Sequence, residues 1–258
     1  MLKLLLIRHG ESTGNQMQRM TGHLADELTG TGQLQCQLLA RHLYQQGWRP
    51  SHIYTSPLYR AVESLAYLLR PWGWLLPAHL PHAQTILPTD LVPSEAIAHA
   101  PPIKDLPVII AAEELQEFQA GVLTGLTWPE AKQQYPDLCQ ALETSSEWVA
   151  IPKAETPLQG QQRARAFIQR VLANHHNGDT IWAIAHHWIM EHLIAAVMGC
   201  DRTWQVIIPN TALFEFWIDR DRWSHAGMSL GISNFWQIKR FADYQHLTDE
   251  ANSIDFSR

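Results

Sequence analysis

Residues 4–15 read LLLIRHGESTGN, a short apolar run that ends in a cation, an imidazole and a glycine. The run over 4–7 is continuous and bounded by polar residues, which is typical of a buried strand. In an open α/β sheet, ligands usually bind beyond the carboxyl ends of the strands. An arginine offers a planar fork of donors that matches a phosphate group, and a neutral histidine can act as a nucleophile. The stretch therefore predicts an anion site built on Arg8 and His9.

Outward from this stretch, helical and strand patterns alternate along the chain. Periodicity and end signals predict helices over 33–46, 57–69, 129–134, 136–142, 159–175 and 187–198, and strands over 53–55, 179–185, 204–208, 212–218 and 232–240. Ser56 and Pro57 are interpreted as the N-cap and first position of the second helix. Such alternation favours a mostly parallel sheet. We expect an α/β fold: a single three-layer domain over 1–258, with a mostly parallel central sheet and helices on both faces.

The segment between the second predicted helix and residue 112 is rich in proline. Residues 71–112 contain eight prolines, which argue against a long helix or an interior strand. A segment of this length inside a domain is more often a functional loop than a linker. The pattern therefore predicts a proline-rich lid or flap insertion at about 71–112.

Composition limits the classes of partner. The chain has 258 residues, a net charge of −6 and three widely spaced cysteines. This charge favours neither nucleic acid nor an anionic membrane, so an anionic ligand must be held by a few local cations. No apolar stretch approaches the ~20 residues that span a bilayer, and the N-terminal run is too short for a signal peptide. We expect a cytoplasmic protein with reduced thiols.

The segment Arg8-His9-Gly10-Glu11-Ser12-Thr13-Gly14-Asn15 resembles the R-H-G-x-S/T-x-x-N signature of the histidine phosphatase superfamily. That superfamily includes the cofactor-dependent phosphoglycerate mutases. The resemblance implies that His9 is the nucleophile that accepts a phosphoryl group. It implies further that Arg8 holds the phosphate and that Asn15 donates a hydrogen bond to it.

Two more segments follow in the order of the family. Residues 21–32, TGHLADELTGTG, are similar to the family loop that passes the site before a helix begins, which implies that Thr21 and Gly22 contact the substrate. His23 in this loop is either a substrate contact or a solvated histidine. Residues 55–64, TSPLYRAVES, resemble the family element S-S/P-L-x-R-A-x-x-T. The resemblance implies that Arg60 binds phosphate from the first helical turn, where the helix dipole also favours an anion.

The candidate general acid lies in residues 115–125, LQEFQAGVLTG, which resemble the family form L-x-E-x-x-x-G-x-x-x-G. The resemblance implies that Glu117 protonates the leaving oxygen. Glu113 and Glu114 are the rival carboxylates, and the glycine spacing selects Glu117. Such an acid must stay protonated near neutral pH, which requires burial or a neighbouring anion such as the bound phosphate.

The last catalytic segment is AIAHHW, residues 183–188, where the family usually has H-G-G or H-G. The resemblance implies that His186 is a second phosphate-binding imidazole. His187 and Trp188 make the following loop bulkier, and His187 is interpreted as a residue that shapes the pocket or contacts substrate rather than as a catalyst. Asn210-Thr211 and residues 240–247 also resemble late family segments and are interpreted as structural.

The resemblance implies a phosphomonoester hydrolase that acts through a phosphohistidine on a small phosphorylated metabolite. The main alternative is phosphoglycerate mutase-type transfer, and a third is a phospho-ligand binding module without catalysis. In the mutases an arginine follows the catalytic glutamate and an Arg-Arg pair holds the substrate carboxylate. Here Phe118 follows Glu117 and the chain has no Arg-Arg pair, which favours the phosphatase. The local match around Arg19 and Asp26 is mutase-like and keeps the alternative open.

Fourteen histidines raise the question of a metal. Neither His175-His176 nor the group His186, His187 and His192 matches a zinc signature. Family members act without a metal, so neither a metal nor another cofactor is expected. The expected partner is a small phosphate ester, and a homodimer is a possible assembly.

Overall fold

The first strand, β1 (Leu2–Arg8), has both of its faces buried. Leu4 and Leu6 belong to one hydrophobic cluster, and Leu5 and Ile7 belong to another on the opposite face. A strand that is covered on both sides needs apolar residues at successive positions, which explains the continuous run at 4–7.

The computed structural model describes residues 1–76, 85–86, 92–93, 106–225 and 233–248. The further strands in these ranges are β2 (His52–Thr55), β3 (Trp74–Leu75), β4 (Thr85–Ile86), β5 (Val92–Pro93), β6 (Val108–Ala111), β7 (Thr180–Ala185), β8 (Leu213–Ile218) and β9 (Trp236–Asp243). The α-helices are α1 (Thr13–Gln16), α2 (Gly30–Gln45), α3 (Tyr59–Leu69), α4 (Trp128–Gln134), α5 (Pro136–Thr144), α6 (Pro157–Asn174) and α7 (His187–Val197).

A seven-stranded sheet with the order β4-β6-β2-β7-β1-β8-β9 forms the centre of the described fold. The four strands β6, β2, β7 and β1 are parallel to one another, and antiparallel strands flank them on both sides. Helices α2 and α3 pack on one face of the sheet, and α6 and α7 pack on the other. These layers confirm the predicted α/β fold with a mostly parallel central sheet.

The first long helices after β1 and after β7 lie on opposite faces of the sheet. The chain leaves β1 toward α2 on one face, and it leaves β7 toward α7 on the other. Because β1 and β7 are neighbours, their carboxyl ends form a topological switch point, where open α/β sheets bind ligands. The fold therefore provides a crevice next to Arg8 and His9.

The close approach of α2 to the loop after β1 depends on Gly32. A Cβ atom at this position would lie 2.0 Å from the carbonyl oxygen of Glu11. Thr29 caps the helix with a side-chain oxygen that accepts from the Gly32 amide. A residue without a side chain is therefore needed where the helix meets the site loop.

Some element predictions are wrong. Residues 204–208 form no strand, and Trp204 and Ile207 are 68% and 83% exposed, so the apolar pattern there does not mark a buried strand. Helix α3 begins at Tyr59 rather than at Pro57, with Leu58 as its N-cap. The prolines of 71–112 do not exclude an interior strand, because β6 begins directly after Pro107 and lies between β4 and β2.

Most of the predicted lid lies outside the described residues. Its described parts include β3 and β5, which pair antiparallel with each other in a separate two-stranded sheet. The extent of an insertion at 71–112 therefore stays a prediction. Helices of the length and apolarity that a bilayer crossing requires are missing from the described part of the chain.

Candidate active site

Strand register brings the two predicted imidazoles together. Arg8 is the register partner of Ala185, so the residues that follow them, His9 and His186, emerge side by side at the carboxyl edge of the sheet. Their ring centroids are 4.9 Å apart, and the two residues are 2% and 0% exposed. The first and fifth sequence segments thus meet at one point.

The environment of His9 fixes its protonation. Its Nδ1 lies 2.7 Å from the carbonyl oxygen of Gly10, and because a carbonyl can only accept, Nδ1 carries the hydrogen. Burial, together with the charges of Arg60 and Arg8, lowers the pKa of His9 well below its usual value. The ring is therefore neutral near pH 7, with its lone pair on Nε2, which is the form that a nucleophile needs.

His186 is held by a residue that the sequence did not identify as part of the site. Its Nε2 lies 2.8 Å from the hydroxyl of Ser56, which follows β2 directly. Its Nδ1 is buried and has no hydrogen-bond partner among the described residues. Burial, followed by the charge of Arg60, lowers the pKa of His186 well below its usual value. Its Nδ1 is the ring nitrogen that can bind a ligand.

Two guanidinium groups flank the imidazoles. Arg60 is 1% exposed, and it donates from Nη2 to the carbonyl of Gly22 at 3.0 Å. Arg8 donates from Nη1 to the carbonyl of Ile208, and its buried Nε has no partner within the described ranges. Burial lowers the pKa of Arg8 to about 10, so its guanidinium stays charged at neutral pH, and burial also lowers the pKa of Arg60 from its usual value. The cations that the sequence predicted are thus grouped around His9.

Glu117 completes this group from the segment after β6. Its negative charge raises the pKa of both Arg8 and Arg60, opposing the effect of their burial. The carboxylate is oriented because one oxygen, Oε1, accepts from the Phe118 amide at 2.8 Å. The rival Glu114 instead pairs with Arg170 of α6 at 3.2 Å.

Asn15 is fixed by the turn that follows β1. Its Oδ1 accepts from the Ser12 amide and from Nδ2 of Asn210, both at 3.2 Å. Asn210 also donates to the carbonyl of His9 at 3.1 Å. Because the amide oxygen of Asn15 is used in these contacts, its Nδ2 is the branch that can donate to a phosphate oxygen.

Thr211 supports the backbone beneath both site residues. Its amide donates to the carbonyls of Arg8 and His9, and its φ of 62° is unusual for a β-branched residue. The hydroxyl of Thr211 lies 2.9 Å from Nε2 of the buried His246. The segments at 210–211 and 240–247, which the sequence marks as structural, therefore hold the backbone of Arg8 and His9 in place.

We expect His246→Gln to reduce the loss of unfolding free energy that the protein shows as the pH falls below 6.5. Burial lowers the pKa of His246 to about 4, whereas the unfolded chain takes up that proton near 6.5. The stability contribution of the neutral ring is therefore complete above pH 6.5 and is lost as the pH falls from 6.5 to about 4. Between pH 7.5 and 5 the natural chain should lose about 2 kcal/mol more unfolding free energy than the variant, measured by urea titration.

The matched control for this comparison is His176→Gln, a change at an exposed histidine. This control should keep most of the pH dependence of the natural chain, because the charge of His176 contributes less than burial to the lowered pKa of its neighbour His175. If the natural chain and His246→Gln show the same slope, His246 does not remain neutral in the folded protein.

The other predicted contacts lie in the surrounding loops. Thr21 packs against Gly14, and the carbonyl of Gly22 accepts from Arg60. His23 is exposed, with Nε2 2.8 Å from the carbonyl of Glu117. The side chain of His187 is 43% exposed and lies 3.7 Å from Glu191.

An open cavity of about 630 Å³ lies beside Arg8 and Asn15. Arg8, Asn15, His187 and Asn210 line it, together with residues 205–208. Arg19 also borders the cavity, but its guanidinium is held by a bidentate contact with Glu130. The cavity is large enough for a small metabolite.

Phe118, the residue after Glu117, packs with Trp188 to form an aromatic wall. The rings of Phe118 and Trp188 have centroids 4.9 Å apart, and Trp188 also contacts His192 at 4.3 Å. Trp188 lies over Gly160 of α6, where an added Cβ would come 2.2 Å from the indole ring. The position of Phe118 thus depends on a helix on the far side of Trp188.

Comparison with known proteins agrees with this fold. A family model described as histidine phosphatase superfamily (branch 1) matches residues 4–82 and 95–230. The chain belongs to this superfamily.

Relatives within the family carry different names. A 2,3-bisphosphoglycerate-dependent phosphoglycerate mutase of Pseudoalteromonas atlantica is 30% identical over 71% of this chain and 78% of its own length. Phosphoserine phosphatase 1 of Hydrogenobacter thermophilus is 27% identical over 78% of each chain. Among solved structures, Bacillus stearothermophilus YhfR aligns with a TM-score of 0.69 and 21% identity over 96% of this chain and 100% of that one. This last likeness shows the shared fold.

Proposed function

We propose that this protein is a metal-independent phosphomonoester hydrolase that acts through a phosphohistidine on a small phosphorylated metabolite. The observation that carries the proposal is the pair of buried, neutral imidazoles, 4.9 Å apart, flanked by two arginines. Phosphoryl transfer requires a nucleophile, positive charge around the phosphoryl oxygens and a proton for the leaving oxygen. His9, the arginine pair and Glu117 supply these three requirements.

In the first step, Nε2 of His9 attacks phosphorus. The N–P bond forms as the P–O bond to the leaving alcohol breaks, and Glu117 gives its proton to the departing oxygen. The phosphate dianion neutralises the guanidinium charges near Glu117 and adds negative charge of its own, which favours the protonated carboxyl that this step uses.

In the second step, water attacks the phosphohistidine. Glu117, now a carboxylate, removes a proton from this water as the N–P bond breaks and inorganic phosphate forms. His9 regains its free Nε2, and Glu117 regains the proton that it lost in the first step. Atoms and charge therefore balance over one turnover.

Four side chains hold the phosphoryl group during both steps. Arg8 and Arg60 supply fixed positive charge, and Nδ1 of His186 and Nδ2 of Asn15 supply further donors. Arg8 Nε and His186 Nδ1 are buried and have no hydrogen-bond partner among the described residues, which supports this assignment. A buried polar atom without a partner lowers the stability of the fold, and a bound phosphate would supply the missing partner.

The surroundings of Glu117 favour hydrolysis over mutase-type transfer. Phe118, which packs on Trp188, offers no charge to a substrate carboxylate. Arg19, the cation of the mutase-like loop, is already paired with Glu130. The mutase alternative is still supported by relatives with that name. A purely binding role would not explain why the Glu117 carboxylate is oriented by the Phe118 amide. The cytoplasmic location and a homodimer stay predictions.

The experiment that tests the function is a phosphate-release screen over phosphorylated metabolites in excess EDTA, with mutase activity toward 3-phosphoglycerate measured in parallel. We expect phosphate release from at least one ester to exceed mutase turnover. An acid-labile phosphoryl group trapped on the protein would support catalysis through a histidine. Faster mutase turnover would overturn the hydrolase proposal, and a failure to turn over or trap any ester would favour a binding module.

A further inference from the structure

A second cluster of polar side chains lies at the opposite end of the central strands. His52 is the first residue of β2, His175 follows α6, and Asp179 immediately precedes β7. Each side chain offers one ligand atom, and these atoms all lie within 4.8 Å of one another. The proposed catalytic residues stand at the carboxyl ends of these strands, so the amino-end cluster is a separate site.

His175 is the central residue of this cluster. It is 3% exposed, and its Nε2 lies 2.8 Å from the hydroxyl of Tyr54. Its Nδ1 is buried without a hydrogen-bond partner among the described residues, and it points toward Asp179, with 3.7 Å between Nδ1 and Oδ2. When the hydrogen of His175 is on Nε2 and is donated to the Tyr54 hydroxyl, Nδ1 carries a lone pair that faces the Asp179 carboxylate. The Nδ1 lone pair and the carboxylate oxygen are both acceptors, so a cation between them would stabilise the arrangement.

Neighbouring groups already orient the other two ligands. Oδ2 of Asp179 accepts from the His176 amide at 2.9 Å. Nδ1 of His52 lies 3.0 Å from the Ser51 hydroxyl, and the His52 and His175 rings have centroids 4.3 Å apart. Hydrogen bonds of this kind fix the ring orientation and tautomer of histidines that bind metals.

We propose that His52, His175 and Asp179 bind one divalent transition-metal cation of the zinc type, with water completing its coordination. Two imidazoles and one carboxylate are a ligand set for zinc and its neighbours, whereas magnesium and calcium prefer oxygen ligands. Ligand atoms around a tetrahedral zinc lie ~3.3 Å apart, so the three ligand atoms, now within 4.8 Å of one another, would move closer together on binding. The cation would join β2 to the turn between α6 and β7.

Zinc titration of the full chain after EDTA treatment tests this site. Equilibrium dialysis should find one saturable equivalent per chain, and cobalt in place of zinc should give the visible d–d bands of a low-symmetry site. At zinc concentrations ~100 times the dissociation constant, the melting temperature should rise by about 5 °C. A lack of saturable binding at micromolar zinc would overturn the proposal.

Variants locate the bound ion. His52→Ala and Asp179→Asn should each weaken zinc binding at least ~10-fold, which reduces the thermal shift at the same zinc concentration by about half or more. The control is His187→Ala, which removes an imidazole beside the other histidine pair and should leave zinc affinity unchanged. If zinc affinity falls in the control and persists in the two cluster variants, the ion lies beside His9 and the proposed site is wrong.

Discussion

His9→Ala should abolish turnover of every phosphate ester that the natural protein hydrolyses. The variant lacks the only group proposed to form the covalent intermediate. In the proposed arrangement Nδ1 of His186 carries the hydrogen that it donates to the phosphate, and its Nε2 accepts from the Ser56 hydroxyl at 2.8 Å, so neither nitrogen offers phosphorus a lone pair. We expect a loss of at least ~10⁴-fold in kcat, which corresponds to about 5 kcal/mol of barrier. The measurement is initial-rate hydrolysis of an aryl phosphate, together with trapping of the phosphoryl group.

The control for this variant is His187→Ala, because that side chain is exposed at the rim of the cavity. It should reduce activity toward a small aryl phosphate less than ~10-fold, an effect of about 1.4 kcal/mol. Substantial turnover by a folded His9→Ala protein would remove His9 from the role of nucleophile.

The loss of hydrolysis rate in Glu117→Gln should depend on how good a leaving group the alcohol of each substrate is. An alkyl phosphate releases a poor leaving group that needs a proton, so its hydrolysis should fall by ~10³-fold. An activated aryl phosphate leaves without that help, so its first step should fall by less than ~10-fold. Burst kinetics on the aryl substrate should then show faster phosphorylation of the protein than hydrolysis of the phosphohistidine, because the second step also uses Glu117.

The matched control is Glu114→Gln, which removes the rival carboxylate that pairs with Arg170. Its rates with both substrates should stay close to those of the natural protein. Equal losses for alkyl and aryl esters in Glu117→Gln would mean that Glu117 does not donate the proton.

The sequence predicted the parts of this protein that depend on local patterns. The apolar runs at 4–7 and 181–185 lie in strands because both faces of the sheet are covered, and continuous hydrophobicity indicates that condition directly. The neighbouring positions of His9 and His186 were implied by family resemblance. The register of β1 with β7 supplies the physical reason for them.

Features that depend on distant contacts were not predictable in this way. Ser56 has the sequence signature of an N-cap, yet α3 starts at Tyr59 and the Ser56 hydroxyl contacts His186 instead. The link between Thr211 and His246 spans 35 positions, and no local pattern reports it. Trp204 and Ile207 are apolar but exposed, so composition alone misplaced a strand.

The stacking of Trp188 between Gly160 and Phe118 has a consequence for protein engineering. A side chain introduced at position 160 would displace the indole, and the indole would in turn displace the phenyl ring beside the acid. Pairing a larger residue at 160 with a smaller one at 188 would restore the fit and leave a differently shaped wall. Substrate preference could thus be redesigned from a helix that never touches the phosphate, with the charged groups left as they are.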